Sequence, residues 1–215
     1  MNRTEVLAKI EACGVVAVIR LADISKLESI IGALTRGGIY ALEITMTTPD
    51  APAIITQLAC RYKGEFLIGA GTVLDTETAR MVIQAGAVFV VSPILNPEMI
   101  RLVHRYDRLM IAGALTPTEI LSAWENGADV VKIFPATALG PGYFKDIHGP
   151  LPQVKLTPTG GVTIENATDF IRAGACCLGV GTALLDKKMI AESDWKGLAQ
   201  KASDFVAAVK KGRSK

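Results

Sequence analysis

Eight short apolar runs rich in β-branched residues recur along this 215-residue sequence, and their regular spacing limits what it can fold into. The runs begin near positions 15, 41, 67, 88, 108, 130, 154 and 177, so successive starts lie 20–26 residues apart. The stretches between them combine helix start signals with apolar residues on one helical face. A buried strand followed by a helix, repeated eight times, predicts an α/β fold, the (β/α)8 or TIM barrel.

The same pattern predicts one domain over residues 1–215. It begins with an extra helix over about residues 4–13, which no strand precedes and which we expect to close the bottom of the barrel. The barrel covers about residues 14–190, and a last amphipathic helix covers about residues 195–210. The alternative is an open doubly wound sheet, which expects a G-x-G-x-x-G turn after the first strand, and residues 19–23 carry no such turn.

Composition and charge argue against several classes of function. The formal net charge is +2, from 23 basic and 21 acidic side chains, and 6% of residues are aromatic, so nucleic-acid binding is not expected. The four cysteines and two histidines form no zinc pattern, so we expect no metal. No apolar run reaches the roughly 18 residues that span a bilayer, and the first residues lack an apolar signal region. We therefore expect a cytoplasmic protein that binds no membrane.

Lys132 is the first candidate catalytic residue, because it interrupts the apolar run Val130–Pro135. A buried ammonium loses hydration, which lowers its pKa and makes the amine available as a nucleophile toward carbonyl carbons. Schiff-base formation is the usual chemistry of such an amine. Two other interpretations stay open: a lysine at the strand end that reaches solvent, and a lysine held in a buried ion pair.

Glu43 and Arg20 are candidates for the same site, since both fall on strands whose carboxyl ends would meet at the mouth of the barrel. Glu43 interrupts the second apolar run, where a carboxylate could move protons for a nearby lysine or merely pair with a base. Arg20 ends the first run and could bind a carboxylate through two parallel hydrogen bonds, or lie on the surface.

Glycine-rich turns follow the seventh and eighth runs, at Gly160-Gly161 and at residues 179–182. Free backbone N–H groups in such turns bind anions, and (β/α)8 barrels commonly hold a phosphate group at this position. We therefore expect a phosphate or carboxylate site there, although tight turns alone would also explain the glycines.

Six segments, taken together, resemble the class I aldolases that act on 2-keto-3-deoxy-6-phosphogluconate (KDPG) and 4-hydroxy-2-oxoglutarate (KHG). They are ALEITMTTP, GAGTVLD, VVSP, VKIFPA, PTGGV and GVGTAL. The resemblance implies a homotrimeric barrel without metal or other cofactor, a Schiff-base lysine at Lys132 and an acid/base glutamate at Glu43. It also implies substrate contacts at the positions that match the family's motifs, namely Thr72, Pro93, Phe134, Thr159, Gly160, Gly161, Gly181 and Thr182.

The sequence departs from the family's pattern at two positions. Many members carry an arginine for the pyruvate carboxylate where this chain has Thr47, which we keep as a candidate contact. We expect Arg20 to bind the carboxylate instead, assisted by Thr72. Many members carry serine where this chain has Thr182, which retains the hydroxyl group.

The resemblance implies cleavage of KDPG, an intermediate of the Entner-Doudoroff pathway, to pyruvate and glyceraldehyde 3-phosphate. It also implies cleavage of KHG to pyruvate and glyoxylate. Phe134 and Pro93 would keep the imine pocket dry. Three alternatives stay open: an aldolase for the C4 epimer, 2-keto-3-deoxy-6-phosphogalactonate; a phosphosugar isomerase that forms no imine; and a non-catalytic assembly protein.

Overall fold

The computed structural model describes residues 1–214, in which strands and helices alternate. The strands are β1 (Val15–Ile19), β2 (Ala41–Thr45), β3 (Leu67–Gly71), β4 (Phe89–Val91), β5 (Leu109–Ala114), β6 (Val130–Ile133), β7 (Leu156–Pro158) and β8 (Leu178–Val180). The helices are α1 (Arg3–Cys13), α2 (Leu27–Arg36), α3 (Ala51–Tyr62), α4 (Thr76–Gln84), α5 (Pro97–Arg105), α6 (Pro117–Glu125), α7 (Gly140–His148), α8 (Ile164–Arg172), α9 (Lys187–Ala191) and α10 (Trp195–Arg213). Each strand begins within about two residues of its predicted start.

The eight strands form one parallel sheet in the order β7-β6-β5-β4-β3-β2-β1-β8. Bridges between Leu156 and Ala175, and between Thr159 and Gly179, join the two outermost strands. These contacts nearly close the sheet into a barrel, because β7 and β8 would be its free edges if it were open. The predicted (β/α)8 barrel is therefore confirmed, and the doubly wound alternative is wrong.

Helix α1 lies across the amino-terminal end of the barrel, as predicted. It starts with a capping box, in which the Asn2 side chain accepts from the Glu5 N–H and the Glu5 carboxylate accepts from the Asn2 N–H. Val6 and Ile10 are its buried apolar residues that share a core cluster with an inner layer from five strands and from the residue before β8: Ala41, Leu67, Phe89, Leu109, Val130 and Cys177. The lower barrel is therefore a filled core, and space for a ligand remains only near the opposite end.

Helix α10 packs along α8 and α2 and continues to Arg213, three residues beyond the predicted end near residue 210. The extension has a physical cause, since the Arg213 guanidinium donates to the backbone carbonyls of Glu11, Ala12 and Cys176. These bonds satisfy carbonyl groups at the end of α1 that have no partner within their own helix. The first and last helices of the described chain are thus fastened to each other below the barrel.

Helix α9 is a short element between β8 and α10 that the sequence pattern does not predict. Asp186 caps its first turn by accepting from the N–H groups of Lys188 and Met189. Lys26, just before α2, donates to the carbonyls of Ile190 and Ala191 at the other end of the helix. These contacts hold α9 beside the carboxyl ends of β8 and β1.

Two glycines of the α2 region offer a matched test of helix packing. A Cβ atom at Gly37 would overlap that of Ala202 in α10 and lie 2.6 Å from the Ala199 carbonyl oxygen, whereas at Gly32 its nearest neighbour would be 3.6 Å away. Gly37→Ala should lower the free energy of unfolding by about 1–3 kcal/mol through overpacking. Gly32→Ala, inside α2, should raise it by about 0.5–1 kcal/mol. Urea denaturation of both variants checks this, and equal effects would contradict the packing described.

Candidate active site

Lys132 and Glu43 border one small space inside the barrel, which we call the inner cavity. Lys132 lies on β6 and is 5% exposed, and Glu43 lies on β2 and is 3% exposed. The other walls of the inner cavity are mostly apolar or small, and include Val16, Val91, Ile111 and Cys177. Residues 89 positions apart in the sequence are thereby brought together in an environment of low polarity.

The surroundings of Lys132 decide between the interpretations left open by its sequence. Its small exposed fraction excludes a side chain that reaches solvent along the surface. Within residues 1–214, no carboxylate oxygen lies within 4.0 Å of its Nζ atom, so it is not held in a direct ion pair. Its ammonium group instead faces the ring of Phe134, whose centroid is 4.8 Å from Nζ.

Burial raises the pKa of the Glu43 carboxyl above its ordinary value, because desolvation disfavours the charged form. The positive charges of Lys132 and Arg20 act in the opposite direction but do not cancel this effect. A carboxyl group with a raised pKa keeps its proton to a higher pH and can donate it as well as accept it, which suits general acid–base chemistry.

Gly71 on β3 makes room for the Glu43 carboxyl group. A Cβ atom at this glycine would overlap Oε1 of Glu43 and lie 2.5 Å from its Cδ. The carboxyl group therefore reaches from β2 across the neighbouring strand toward the mouth of the barrel, where the strands end. The second glycine of the G-A-G-T segment consequently has a steric reason.

Thr157 is a residue that the sequence analysis did not select. It pairs in register with Lys132 on the adjacent strand β7, is 3% exposed and borders the inner cavity. Its hydroxyl donates to the Cys177 carbonyl oxygen at 2.8 Å and accepts from the Cys177 thiol at 3.4 Å. The available signal was its spacing, since it lies two residues before Thr159 and alternate strand residues share a face.

A larger depression, which we call the cleft, adjoins the inner cavity at the carboxyl ends of β7, β8 and β1. Its volume is about 480 Å³, and Thr159 and Gly179 border both spaces. Seven residues selected from the sequence line the cleft: Arg20, Phe134, Thr159, Gly160, Gly161, Gly181 and Thr182. Together with Lys132 and Glu43, nine of the twelve selected residues lie around these two adjoining spaces.

The glycine turns present backbone N–H groups to the cleft. Gly160 and Gly161 have positive φ angles of 86° and 73°, and Gly161 lies so close to the backbone of Thr137 that a Cβ would be 2.7 Å from its Cα. Within residues 1–214, the N–H groups of Gly161, Val162 and Thr182 have no backbone or side-chain acceptor. Amides of this kind, with no acceptor of their own, are able to bind an anion.

The other three selected residues, Thr47, Thr72 and Pro93, follow β2, β3 and β4 and do not border either space. Thr47 is exposed, and its hydroxyl pairs at 2.9 Å with that of buried Thr45. The next residue, Thr48, accepts a hydrogen bond from the backbone N–H of Leu21, directly after Arg20. Hydroxyl groups therefore occupy the position where an arginine would supply positive charge.

Thr72 has a strained backbone, with a φ of 59°. A left-handed conformation is unfavourable for a β-branched residue and costs on the order of 1–3 kcal/mol. Such strain is concentrated at ligand-binding sites, which supports keeping Thr72 as a candidate contact. Pro93, on the next loop, is partly buried, and its carbonyl group occupies the space beside Gly113 on β5.

Phe134, which we expect to help shield the inner cavity from water, lies between that cavity and the surface. This residue is 37% exposed and lies at the edge of the cleft, with its ring against the Lys132 ammonium group. The walls of the inner cavity at Val16, Val91 and Ile111 are apolar as well.

Residues outside this region have local roles. Lys155 pairs with Glu11 of α1 at the opposite end of the barrel, and His104 pairs with Asp129 at 3.1 Å.

In the described part of the chain, no three His, Cys, Asp or Glu side chains are grouped as metal ligands would be. None of the helices formed by residues 1–214 has the length and apolar character needed to cross a membrane.

Comparison with known proteins agrees with this geometry. The family model for KDPG and KHG aldolase matches residues 6–201. The chain is 36% identical over 183 residues to the 2-dehydro-3-deoxy-phosphogluconate aldolase of Pseudomonas aeruginosa, covering 84% of this chain and 81% of that protein. It is 35% identical over 179 residues to the 2-dehydro-3-deoxy-6-phosphogalactonate aldolase of Escherichia coli, covering 83% and 85%.

A solved structure shares the whole fold. The KDPG aldolase of Legionella pneumophila, with pyruvate captured at low pH as a covalent carbinolamine intermediate, is 30% identical and has a TM-score of 0.85. The similarity covers 92% of this chain and 96% of that one. Because the family model matches most of this chain, the chain belongs to the KDPG and KHG aldolase family.

Proposed function

We propose that this protein is a class I aldolase that cleaves KDPG to pyruvate and glyceraldehyde 3-phosphate. The observation that carries the proposal is the burial of Lys132 beside Glu43 in an inner cavity that adjoins an amide-lined cleft. The relative from Pseudomonas aeruginosa carries the systematic name of a KDPG aldolase. The covalent pyruvate intermediate in the Legionella pneumophila structure supports imine chemistry in the family.

The first stage of the proposed reaction joins Lys132 to the substrate. The unprotonated Nζ atom attacks C2 of the keto acid, and the carbonyl oxygen takes up a proton to give a carbinolamine. The hydroxyl group then leaves as water, and the nitrogen lone pair forms the C=N bond of a protonated imine. Glu43 moves protons in both steps, directly or through a water molecule.

The second stage breaks the C3–C4 bond. The positively charged imine accepts the electron pair of this bond, which becomes the C2–C3 double bond of an enamine. The C4 hydroxyl loses its proton to a base and becomes the aldehyde of glyceraldehyde 3-phosphate. Glu43 then protonates C3, and water attacks the imine to release pyruvate and free Lys132.

The two ends of the substrate carry charges that the cleft can bind. We assign the C1 carboxylate to Arg20, which lines the cleft and whose charge acts on Glu43. We assign the C6 phosphate to the free N–H groups of Gly161, Val162 and Thr182. Thr72 and Pro93 would complete the pyruvate end when substrate is bound, with Thr47 contributing a hydroxyl group.

Two related activities share this site. The galactonate substrate differs from KDPG only at C4, and the 35% identity to an aldolase named for it makes this epimer the second candidate. KHG has the same keto-acid end and would enter the same imine mechanism. A phosphosugar isomerase without an imine would leave the burial of Lys132 beside Glu43 without a catalytic purpose.

We also propose that the chain folds as one domain over residues 1–215 and assembles as a homotrimer in the cytoplasm. Exposed apolar side chains occur on four consecutive loops after β3, β4, β5 and β6, namely Leu74, Ile94, Leu115 and Phe134. Hydrogen bonds join these loops, including Gly113 N–H to the Ile94 carbonyl and Phe134 N–H to the Ala114 carbonyl. Apolar side chains exposed on neighbouring loops favour contact with further copies of the chain.

Borohydride reduction in the presence of pyruvate tests the imine. The wild-type protein should gain one reduced pyruvate adduct on Lys132, located by peptide mass analysis, because only an imine is reduced to a stable secondary amine. Lys132→Ala should form no adduct and lose turnover. Lys155→Ala, a lysine at the far end of the barrel, is the matched control and should behave as wild type. Absence of the adduct from folded wild-type protein would favour the isomerase.

Replacing Glu43 by Gln tests the acid–base role. The amide cannot transfer protons, so turnover of KDPG should fall by roughly 10²–10⁴, the usual contribution of general acid–base catalysis. The adduct with Lys132 should still form, though more slowly. Turnover within threefold of wild type, measured by coupled detection of pyruvate, would remove Glu43 from the mechanism.

The same variant tests the burial of Glu43 through pH-dependent stability. Because the folded-state pKa is raised above the ordinary 4.5, the wild-type protein should lose stability as pH rises through it. The glutamine side chain carries no charge, so the stability of Glu43→Gln relative to wild type should increase above about pH 4.5 and then level off. Urea denaturation from about pH 4 to about pH 8 measures this difference, and a decrease would contradict the raised pKa.

A further inference from the structure

Three cationic side chains border the cleft, and they differ in what they already bind. They are Arg20 and Lys26, from the loop between β1 and α2, and Lys187, the first residue of α9. Asp23 is the acidic side chain on the same wall, and its carboxylate accepts from both the N–H and the hydroxyl of Ser25. The availability of each cation for a ligand depends on its partners.

All three hydrogens of the Lys26 ammonium group are bonded within the protein. Its ammonium group donates to the carbonyl oxygens of Ile190 and Ala191, at 2.8 and 2.9 Å, and to the Ser193 hydroxyl at 3.3 Å. An ammonium group has three hydrogens, so these contacts use all of them. Lys26 therefore fixes α9 against the cleft and has no hydrogen to offer a ligand.

Lys187 is uncommitted. Its side chain is exposed, and within residues 1–214 it has neither a salt bridge nor a hydrogen-bond partner, although the neighbouring Asp186 pairs with Lys201 at 2.9 Å. It lies six residues after Gly181, whose carbonyl accepts from the N–H groups of Leu184 and Leu185 in a tight turn, and both Gly181 and Lys187 border the cleft. Lys187 thus borders the cleft a short stretch of chain after the glycine turn at residues 179–182.

Within residues 1–214, Arg20 also has neither a salt bridge nor a hydrogen-bond partner, and it lies near Glu43. It terminates β1 on the inner face, in alternation with Val16 and Val18, and its charge acts on buried Glu43. The cleft consequently has one free cation beside the imine-forming residues and a second beside the glycine turns. A ligand with an anionic group at each end matches this arrangement.

We propose that Lys187 is a specificity-determining residue, whose ammonium group contacts the C6 phosphate and selects phosphorylated over unphosphorylated 2-keto acids. This inference rests on the proposed aldolase function and refines it. KDPG and its galactonate epimer carry their distal anion on C6, two carbons beyond the C4 hydroxyl. KHG carries its second carboxylate directly on C4 and is too short to bring that charge to the glycine turns.

The test compares steady-state cleavage of KDPG and KHG by Lys187→Ala and two further variants. Lys187→Ala should raise the KM for KDPG about tenfold, equivalent to about 1.4 kcal/mol, with kcat unchanged because the contact is remote from the breaking bond. Its KM for KHG should stay within twofold of wild type. Lys187→Arg, which keeps the charge, should retain most of the affinity for KDPG.

Lys188→Ala is the matched control. Lys188 is an exposed lysine on the same helix that does not border the cleft, and the variant changes net charge by the same amount. It should leave both substrates unaffected. Both sites tolerate alanine, a strong helix former, so unfolding is not expected to complicate the comparison.

Three outcomes would overturn the inference. A KM for KDPG that stays within twofold in Lys187→Ala would show that the phosphate does not depend on this residue. An equal rise in Lys187→Ala and Lys188→Ala would reduce the effect to general charge. An equal rise for KDPG and KHG would place the contact elsewhere on the substrate.

Failure of the proposed function would look different. A folded wild-type protein that forms no borohydride adduct with pyruvate, and cleaves neither KDPG nor its galactonate epimer, would refute the aldolase itself and the Lys187 inference with it. If only the galactonate epimer is cleaved, the same comparison applies with that substrate, because both epimers carry the C6 phosphate.

Discussion

The transfer of Glu43 and Lys132 from water into the barrel interior is the constraint on which the site depends. Within residues 1–214, neither residue is in a direct ion pair, so the rest of the fold must stabilise both buried side chains. The filled lower core, closed from below by α1, supplies that stability through apolar burial. The carboxyl group then responds to the protein environment more than to solvent, as its raised pKa reflects.

Small residues allow the polar groups to occupy the barrel. Gly71 admits the carboxyl group of Glu43, Gly113 admits the carbonyl of Pro93, and Gly179 admits the hydroxyl of Thr159. Each of these glycines lies on a strand, where glycine ordinarily weakens a sheet. Glycine occurs on these three strands because a neighbouring group at the mouth of the barrel occupies the space that a Cβ atom would fill.

The architecture and the central residues could be predicted from the sequence because both depend on local periodicity. Alternation along each strand and the positions of the strand ends were enough to bring Arg20, Glu43 and Lys132 to one end of the barrel. The sequence analysis missed Thr157 and Lys187, because each depends on a feature of the three-dimensional structure. The register between β6 and β7 reveals Thr157, and the position of the five-residue helix α9 reveals Lys187. The exposure of Phe134 depends on loop packing, which periodicity does not contain.

The bonds from Arg213 to α1 place the end of α10 beside α1, on the face of the barrel opposite to the cleft. Arg3, at the start of α1, contacts Asp129 just before β6 on that same face. One face of the molecule thus carries the attachment points and the other carries substrate access. A reporter domain, an affinity tag or a surface tether joined to either end would project away from the mouth, so the protein could be immobilised without obstructing the route that substrate takes.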